Sequence, residues 1–511
     1  MKKFTRKSSL LSNTLGLVSL ATAAGCTSPD HLSTRQDEII SSTAYTALPE
    51  VTLLPPIALA RTTTAPFDAT LAPKLDLSVC TLSGGACAAP PVAVVKPGAV
   101  QLKTNGYTAM WDTTTMALPP GGTIRMSVDL SGLVLASVDL DVSSDGKQLR
   151  TDLTDELLGT YGRTLPVDFW IGRTPSIAAH AMHAAGKTAL EIAQVLQSEF
   201  GVSAEDAAKL LKAEGFSVVE IGSCLKNVYA LDAMAAATIL EGVGFGFDAL
   251  AQAFKDSFGF SAWSAAATLQ SLGATTNEVA GALKNVYLLG PDVTATILKG
   301  NGSSMNDIAS AMKTVFQLQA PATAVVLNHI GAPTNDVGTA MKDVFQLTAE
   351  ATAQILKDLG AAAVEVGQAM KDVFKCTAEG MGVIMHGLQY TVDEITYSLE
   401  VTYDFWADQA AGVLENMGID VEKIASALDT VYNLAAQDCA QILKSLGIDP
   451  ATFAQALKIV YAIADVDMIA LLDAIGVDVN QIIHAIAVTF GISDDAATAL
   501  VCVTVPFICP I

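Results

Sequence analysis

The chain has 511 residues, 51% of them apolar and 16% charged, with 29 basic side chains against 52 acidic ones and a formal net charge of −23. So acidic a balance argues against nucleic acid as a partner and against direct electrostatic docking on anionic lipid. There is no phosphate loop, dinucleotide fingerprint, GxSxG elbow or HExxH pair, so nothing in the linear order of residues supports an enzyme, although a site gathered from distant segments would leave no such trace.

Residues 1–25 read as a targeting segment: Lys2, Lys3, Arg6 and Lys7 precede an apolar stretch through Leu10, Leu11, Leu15, Leu17, Val18 and Leu20. The segment closes on Ala23-Ala24-Gly25-Cys26, which resembles the lipobox of bacterial lipoproteins, with Ala23 where leucine is commoner. That resemblance implies cleavage before Cys26, lipidation of its sulfur and export. In enteric lipoproteins an aspartate after the cysteine favours inner-membrane retention, so Thr27 points to the outer membrane, on its periplasmic face or at the cell surface. The rival reading is an ordinary secretory signal with an incidental cysteine. Loss of residues 1–25 removes four positive charges and no acid, taking −23 to −27.

Residues 26–48, rich in Ser, Thr, Pro, Asp and Gln, read as a flexible tether. From 49 to 170 the apolar period is two and turns multiply, with strand-like runs at 74–82, 106–111, 123–130, 133–142 and 165–171. Several short strands over about 120 residues suggest a β-sandwich. Its GYTAMWDT and GRTLPVDFWIG segments resemble Ig-like modules of bacterial cell-surface proteins, which implies a spacer or attachment role. Cys80 and Cys87 flank a Ser-Gly-Gly turn, and Cys502 and Cys509 repeat that spacing at the C-terminal end. Both pairs are expected to be loop disulfides in an exported protein.

From 171 to 500 one period governs the chain. An aromatic residue stands at every twenty-ninth position from Phe200 to Phe490, eleven times without insertion or deletion, and glycine recurs in step with it, fifteen residues after the slot, from Gly186 to Gly476 except where Gln389 stands. This predicts an α-solenoid of about eleven 29-residue, two-helix repeats, an α+β chain overall, closed by a tail at 501–511. In the unit 344–372, Thr348 starts one helix, Gly360 ends it, and a second opens near Glu365. Helices this short are marginal alone and need stacking neighbours. The aromatic slot reads as a wedge at the core edge, where a tyrosine hydroxyl reaches water. Glu191, Glu220, Glu278, Asp307, Asp336 and Glu365 fall in the first turns of second helices and complement the helix dipole. Cys224 and Cys439 stand in small-residue slots of the buried stripe; the role of Cys376, in a connection, is open.

Neither a metal nor a cofactor is expected. His180 and His183 lie three apart on one helix face, but two ligands do not make a zinc site, and Asp465, Asp467, Asp473 and Asp478 lack EF-hand spacing. One repeat breaks its own pattern: across 381–408 the glycine slot is Gln389, the lysine slot is Glu400, and Tyr390, Tyr397, Phe405 and Trp406 crowd around Tyr403 among acids. Drift is one explanation; the other is a partner-binding site at Tyr390, Tyr397, Phe405 and Trp406, with Tyr390 and Trp406 exposed near loops. The expectation is therefore a non-catalytic, envelope-anchored lipoprotein whose solenoid binds a protein or cell-surface polymer. A structural spacer or self-associating envelope component is the alternative, and an envelope-acting hydrolase a weaker one.

Overall fold

The computed structural model describes residues 45–54, 57, 63–151, 157–160 and 162–505. The chain divides into two units, 1–172 and 173–511. Cys26 and Cys509 lie outside the described residues.

Among the described residues the first unit has twelve strands: β1 (Tyr45–Ala47), β2 (Val51–Leu53), β3 (Leu75–Ser83), β4 (Ala86–Cys87), β5 (Val92–Val95), β6 (Gln101–Lys103), β7 (Gly106–Asp112), β8 (Thr123–Leu130), β9 (Leu133–Val142), β10 (Gln148–Thr151), β11 (Leu157–Thr160) and β12 (Thr164–Ile171). They form two antiparallel sheets. One runs β11-β10-β9-β8-β3-β4, with β1 added on β9 and β5 on β3; the other runs β2-β12-β7-β6. All five runs expected from period-two patterning are strands, because their alternate residues bury one face: Leu75, Leu77 and Val79 on β3, Ile124, Met126 and Val128 on β8, Leu165, Val167, Phe169 and Ile171 on β12. The shorter strands carry too little pattern to be read. β1 pairs with β9 at Tyr45↔Val138, so the end of the segment expected to be tether belongs to the sheet. The Cys80–Cys87 disulfide closes the β3–β4 hairpin with its Cα atoms 5.6 Å apart.

The second unit is a tandem run of 23 α-helices among the described residues, from Pro175–Ala184 to Asp494–Thr504, mostly ten to twelve residues long. Helices two apart in the chain pack side by side, as Val421–Tyr432 does on Pro450–Tyr461 and that helix on Val479–Phe490, which is the contact pattern of a solenoid. One contiguous apolar core of small and branched residues runs from Ala179 to Val501. In the unit read from sequence, Thr348 accepts a hydrogen bond from the Ala351 amide to start Ala349–Asp358, and Gly360 is left-handed at φ 83°. The acids expected in first turns are there, and four helices carry full capping boxes, Thr188 with Glu191, Ser217 with Glu220, Thr275 with Glu278 and Thr391 with Glu394. The last helix runs to Thr504, so Cys502 sits in a helix rather than in a tail; it is disulfide-bonded.

Candidate functional site

The last carbonyls of a helix have no partner within it and form its negative end. In this array they are capped by the neighbouring unit. Lys226, Lys255, Lys284, Lys313, Lys342, Lys371 and Lys458, each in the last turn or two of its own helix, send Nζ to the carbonyl 31 residues later. The distances include 2.8 Å for Lys226 to Ser257, 2.7 Å for Lys255 to Val286 and 2.9 Å for Lys458 to Thr489. Each of these ammonium groups also lies over the ring of the aromatic slot, 32 residues on, from 5.6 Å for Lys255 over Tyr287 to 4.3 Å for Lys458 over Phe490. Gln197 makes the equivalent contact to Val228 through its amide.

The aromatic slot is thus more than a core wedge. All its rings are half-buried, each lysine-capped ring forms the floor of a rung, and the tyrosine hydroxyls do not point to water. Tyr287, Tyr403, Tyr432 and Tyr461 donate instead to the carbonyl 27 residues earlier, in the preceding connection. Burial pushes the Tyr287, Tyr403 and Tyr432 phenols up to about 12. Cys376 supplies one of these carbonyls, to Tyr403 at 2.7 Å, and its half-buried free thiol stands where Leu318 and Leu347 stand in other units. Cys224 and Cys439 are free and buried, and burial raises both thiols.

The irregular segment keeps this frame and changes its surface. Gln389 adopts the left-handed conformation of the glycines it replaces, at φ 65°. Tyr390 corrects the expectation of exposure: it is only 9% exposed, under Lys357 at 4.7 Å from its ring, in the slot that Phe245, Ala274 and Ile419 fill elsewhere. That slot follows the turn but points into the core, because the chain reverses there to start the second helix. Phe405 is half-buried against Tyr403, with ring centroids 5.7 Å apart. Tyr397 and Trp406 are exposed, at 52% and 78%. Among the described residues no two of the four rings touch one another.

Trp406 occupies the N-cap of Ala407–Asn416; Ser203, Asp232, Ser261, Thr348, Thr377 and Ser493 cap the equivalent helices, while Gly290, Gln319, Ala435 and Ala464 give theirs no side-chain cap. Its indole cannot accept a hydrogen bond from the helix amides; only the Gln409 side chain reaches back, to the Trp406 amide at 3.0 Å. Two rungs of the lysine ladder are also broken here. Glu400 and Asp429 stand at the ladder positions, next to Tyr432 and Tyr461, and among the described residues neither carboxylate has a hydrogen bond or an ion pair. A groove of about 620 Å³ opens beside the second of them, lined by Tyr390, Asp393, Glu422, Lys423, Asp429 and Val460.

The remaining candidates are structural. His180 and His183 both turn Nδ1 to Glu214 Oε2, at 3.0 and 3.3 Å, and among the described residues no three His, Cys, Asp or Glu side chains gather to hold a metal ion. Asp465 and Asp467 sit in the first turn of one helix and Asp478 caps the next, so these acids serve helix starts. In the β unit, the cleft beside β6 and β7 holds Lys103 and Asp168 in an ion pair at 2.7 Å, which spends both charges on each other. No helix among the described residues is long and apolar enough to cross a membrane; the pair Val479–Phe490 and Asp494–Thr504 would reach the length together but is bent by 118°. Compared with known proteins, the chain matches no family model and no curated protein.

Proposed function

We propose that this chain is a non-catalytic envelope lipoprotein, acylated at Cys26, in which an Ig-like β module acts as spacer and about eleven 29-residue repeats form an α-solenoid that binds a protein or cell-surface polymer. The observation that carries the binding role is Trp406. An exposed indole at an N-cap forgoes about 1 kcal/mol of capping that Ser or Thr supplies elsewhere in the array. Four other units also lack a side-chain cap here, but only this one puts a large rigid ring in solvent instead, which has the character of an interface anchor. Tyr397, on the exposed face of Val392–Tyr403, adds a second ring where Gln368 stands one unit earlier.

The test is a pair of substitutions that should improve or preserve the fold while removing the anchors, Trp406→Ser and Tyr397→Gln. Capture of the partner from detergent-solubilised envelopes should weaken by about 1–3 kcal/mol per anchor. Thermal stability should hold or rise. Capture unchanged in the folded double variant would leave the spacer reading in its place.

A further inference from the structure

Seven rungs show what the site beside each aromatic ring is made for. A primary ammonium sits over the ring and bonds the carbonyl at the negative end of the same helix. At Glu400 and Asp429 every part of that site except the cation persists. Tyr432 is held by its hydroxyl on Phe405 O at 2.8 Å and Tyr461 on Leu434 O at 3.0 Å, as Tyr403 is held on Cys376 O at 2.7 Å in a complete rung. The carbonyls of Val431 and Val460, 31 residues after the two acids, receive no side-chain donor among the described residues. In place of a cation the chain offers a carboxylate, which is unfavourable beside the negative end of a helix.

We infer that these two adjacent rungs are a receptor for lysine side chains of another polypeptide, which lays one ammonium between Glu400 and the Tyr432 ring and a second between Asp429 and the Tyr461 ring. The proposal rests on the binding role argued above and names the chemistry of the partner.

Three further observations support it. The space that a lysine at position 429 would fill is part of the groove, because Asp429 and Val460 both line it. Tyr390, nine-tenths buried, lines the same groove, and its buried hydroxyl has no hydrogen-bond partner among the described residues. The charge around the groove is complementary: Asp393, Glu422 and Asp429 line it, the lysine among its lining residues, Lys423, is paired with Asp420 at 3.4 Å, and Lys357, over the Tyr390 ring, is spent on the Leu388 carbonyl. Burial first, then Glu400 and Asp408, raise the Tyr432 phenol, as expected of a ring in a negative field. Neighbouring helices stand about 8–10 Å apart. Two lysines at i and i+2 of an extended segment start about 7 Å apart, and their flexible stems span the difference.

The test uses the full chain and a fluorescent oligolysine peptide at low ionic strength, with an acetyl-lysine peptide of the same length as neutral control. Glu400→Lys with Asp429→Lys completes both rungs from within, so it should slow native-state hydrogen exchange in Val421–Tyr432 and Pro450–Tyr461 while weakening oligolysine binding on the order of tenfold or more. Glu350→Lys with Glu379→Lys makes the same charge change on exposed acids away from the rungs and should weaken it no more than about twofold. Glu400→Gln with Asp429→Asn, which removes the charge at nearly constant volume, should also weaken binding and guards against misfolding of the lysine variant. Equal losses from the rung and control pairs, or no binding of oligolysine by the unaltered chain, would overturn the proposal. Spermine competing as well as the peptide would overturn a polypeptide ligand. If the rung variants bind oligolysine normally while Trp406→Ser and Tyr397→Gln still abolish partner capture, this inference fails and the binding role stands.

Discussion

Lys342 offers the cleanest test that the lysine ladder joins one unit to the next. Its Nζ lies 2.6 Å from the Val373 carbonyl and 5.5 Å from the Phe374 ring centre. Because the side chain is exposed, the charged hydrogen bond is worth about 1 kcal/mol after solvent screening, below the usual range for charged groups. The ring contact adds about 0.5–1 kcal/mol. Ordering a long side chain offsets part of both, so a net of about 1 kcal/mol is expected. Lys342→Met keeps the stem over the ring and removes only the ammonium; Lys342→Ala removes the stem as well and should cost about 1 kcal/mol more. A single melting temperature is a poor readout for a long array whose units need not unfold together. Native-state hydrogen exchange is better. Amides of Thr334–Asp343 and Ala363–Asp372 should open about fivefold more often in Lys342→Met, while those beyond Pro450 are unchanged. Unaltered exchange in those two helices would show that the lysine is only a solvated charge on its own helix end. An equal rise across the whole unit would refute the nearest-neighbour reasoning.

Four other outcomes are expected. Tyr390→Ala should destabilise the array by about 3–4 kcal/mol, measured by chemical denaturation, because it empties a core slot, whereas Trp406→Ala should cost little. Gln389→Gly should add about 0.5–1 kcal/mol in the same assay, since relief of the left-handed strain exceeds the extra freedom gained by the unfolded chain. Acid should separate the two units. Lys187 and the Thr188 cap hold the Glu191 carboxyl down to about 2, and caps lower Glu220 and Glu278, so their stabilisation is present above about 4.5 and lost as pH falls toward 2. Burial instead raises Asp76 and Asp129, which face each other on β3 and β8; the β unit is penalised as pH rises through their folded values and regains that stability in acid, so Asp76→Asn should stabilise it at neutral pH. Helical circular dichroism and exchange of β-unit amides across an acid titration would check both directions. Finally, Cys26→Ser should release the protein from membranes, and a variant that still sediments with the envelope, with no lipid mass on the unaltered chain, would reject the anchor.

Much of the helical unit was legible because its information is local. Capping residues, acids in first turns and glycines at helix ends act within a few residues, so Thr348, Glu365 and Gly360 announced their roles in linear order. Short strands such as Val92–Val95 and Gln101–Lys103 were not legible, since three or four residues carry no usable alternation. The residue after each aromatic was also hidden. It is left-handed after all eleven aromatics, yet only Gly201, Gly259 and Gly491 are glycine; Ala230, Leu288 and Lys375 accept the strain because packing on both sides holds the turn.

The sequence by itself determined the period, the two helices of each unit, their caps and the slots a side chain fills, because these follow from contacts within one unit repeated at fixed spacing. Only the tertiary structure decided which helix end each lysine serves. A lysine in the last turn suits its own helix dipole as well as its neighbour's, and nothing within one unit distinguishes the two. The bond that crosses 31 residues exists because neighbouring units bring one helix's lysine to the next helix's carbonyls. The same ambiguity left Asp429 unremarked and Tyr390 misplaced: a position near a turn can face solvent or core, and the direction is set by where the adjoining helix packs.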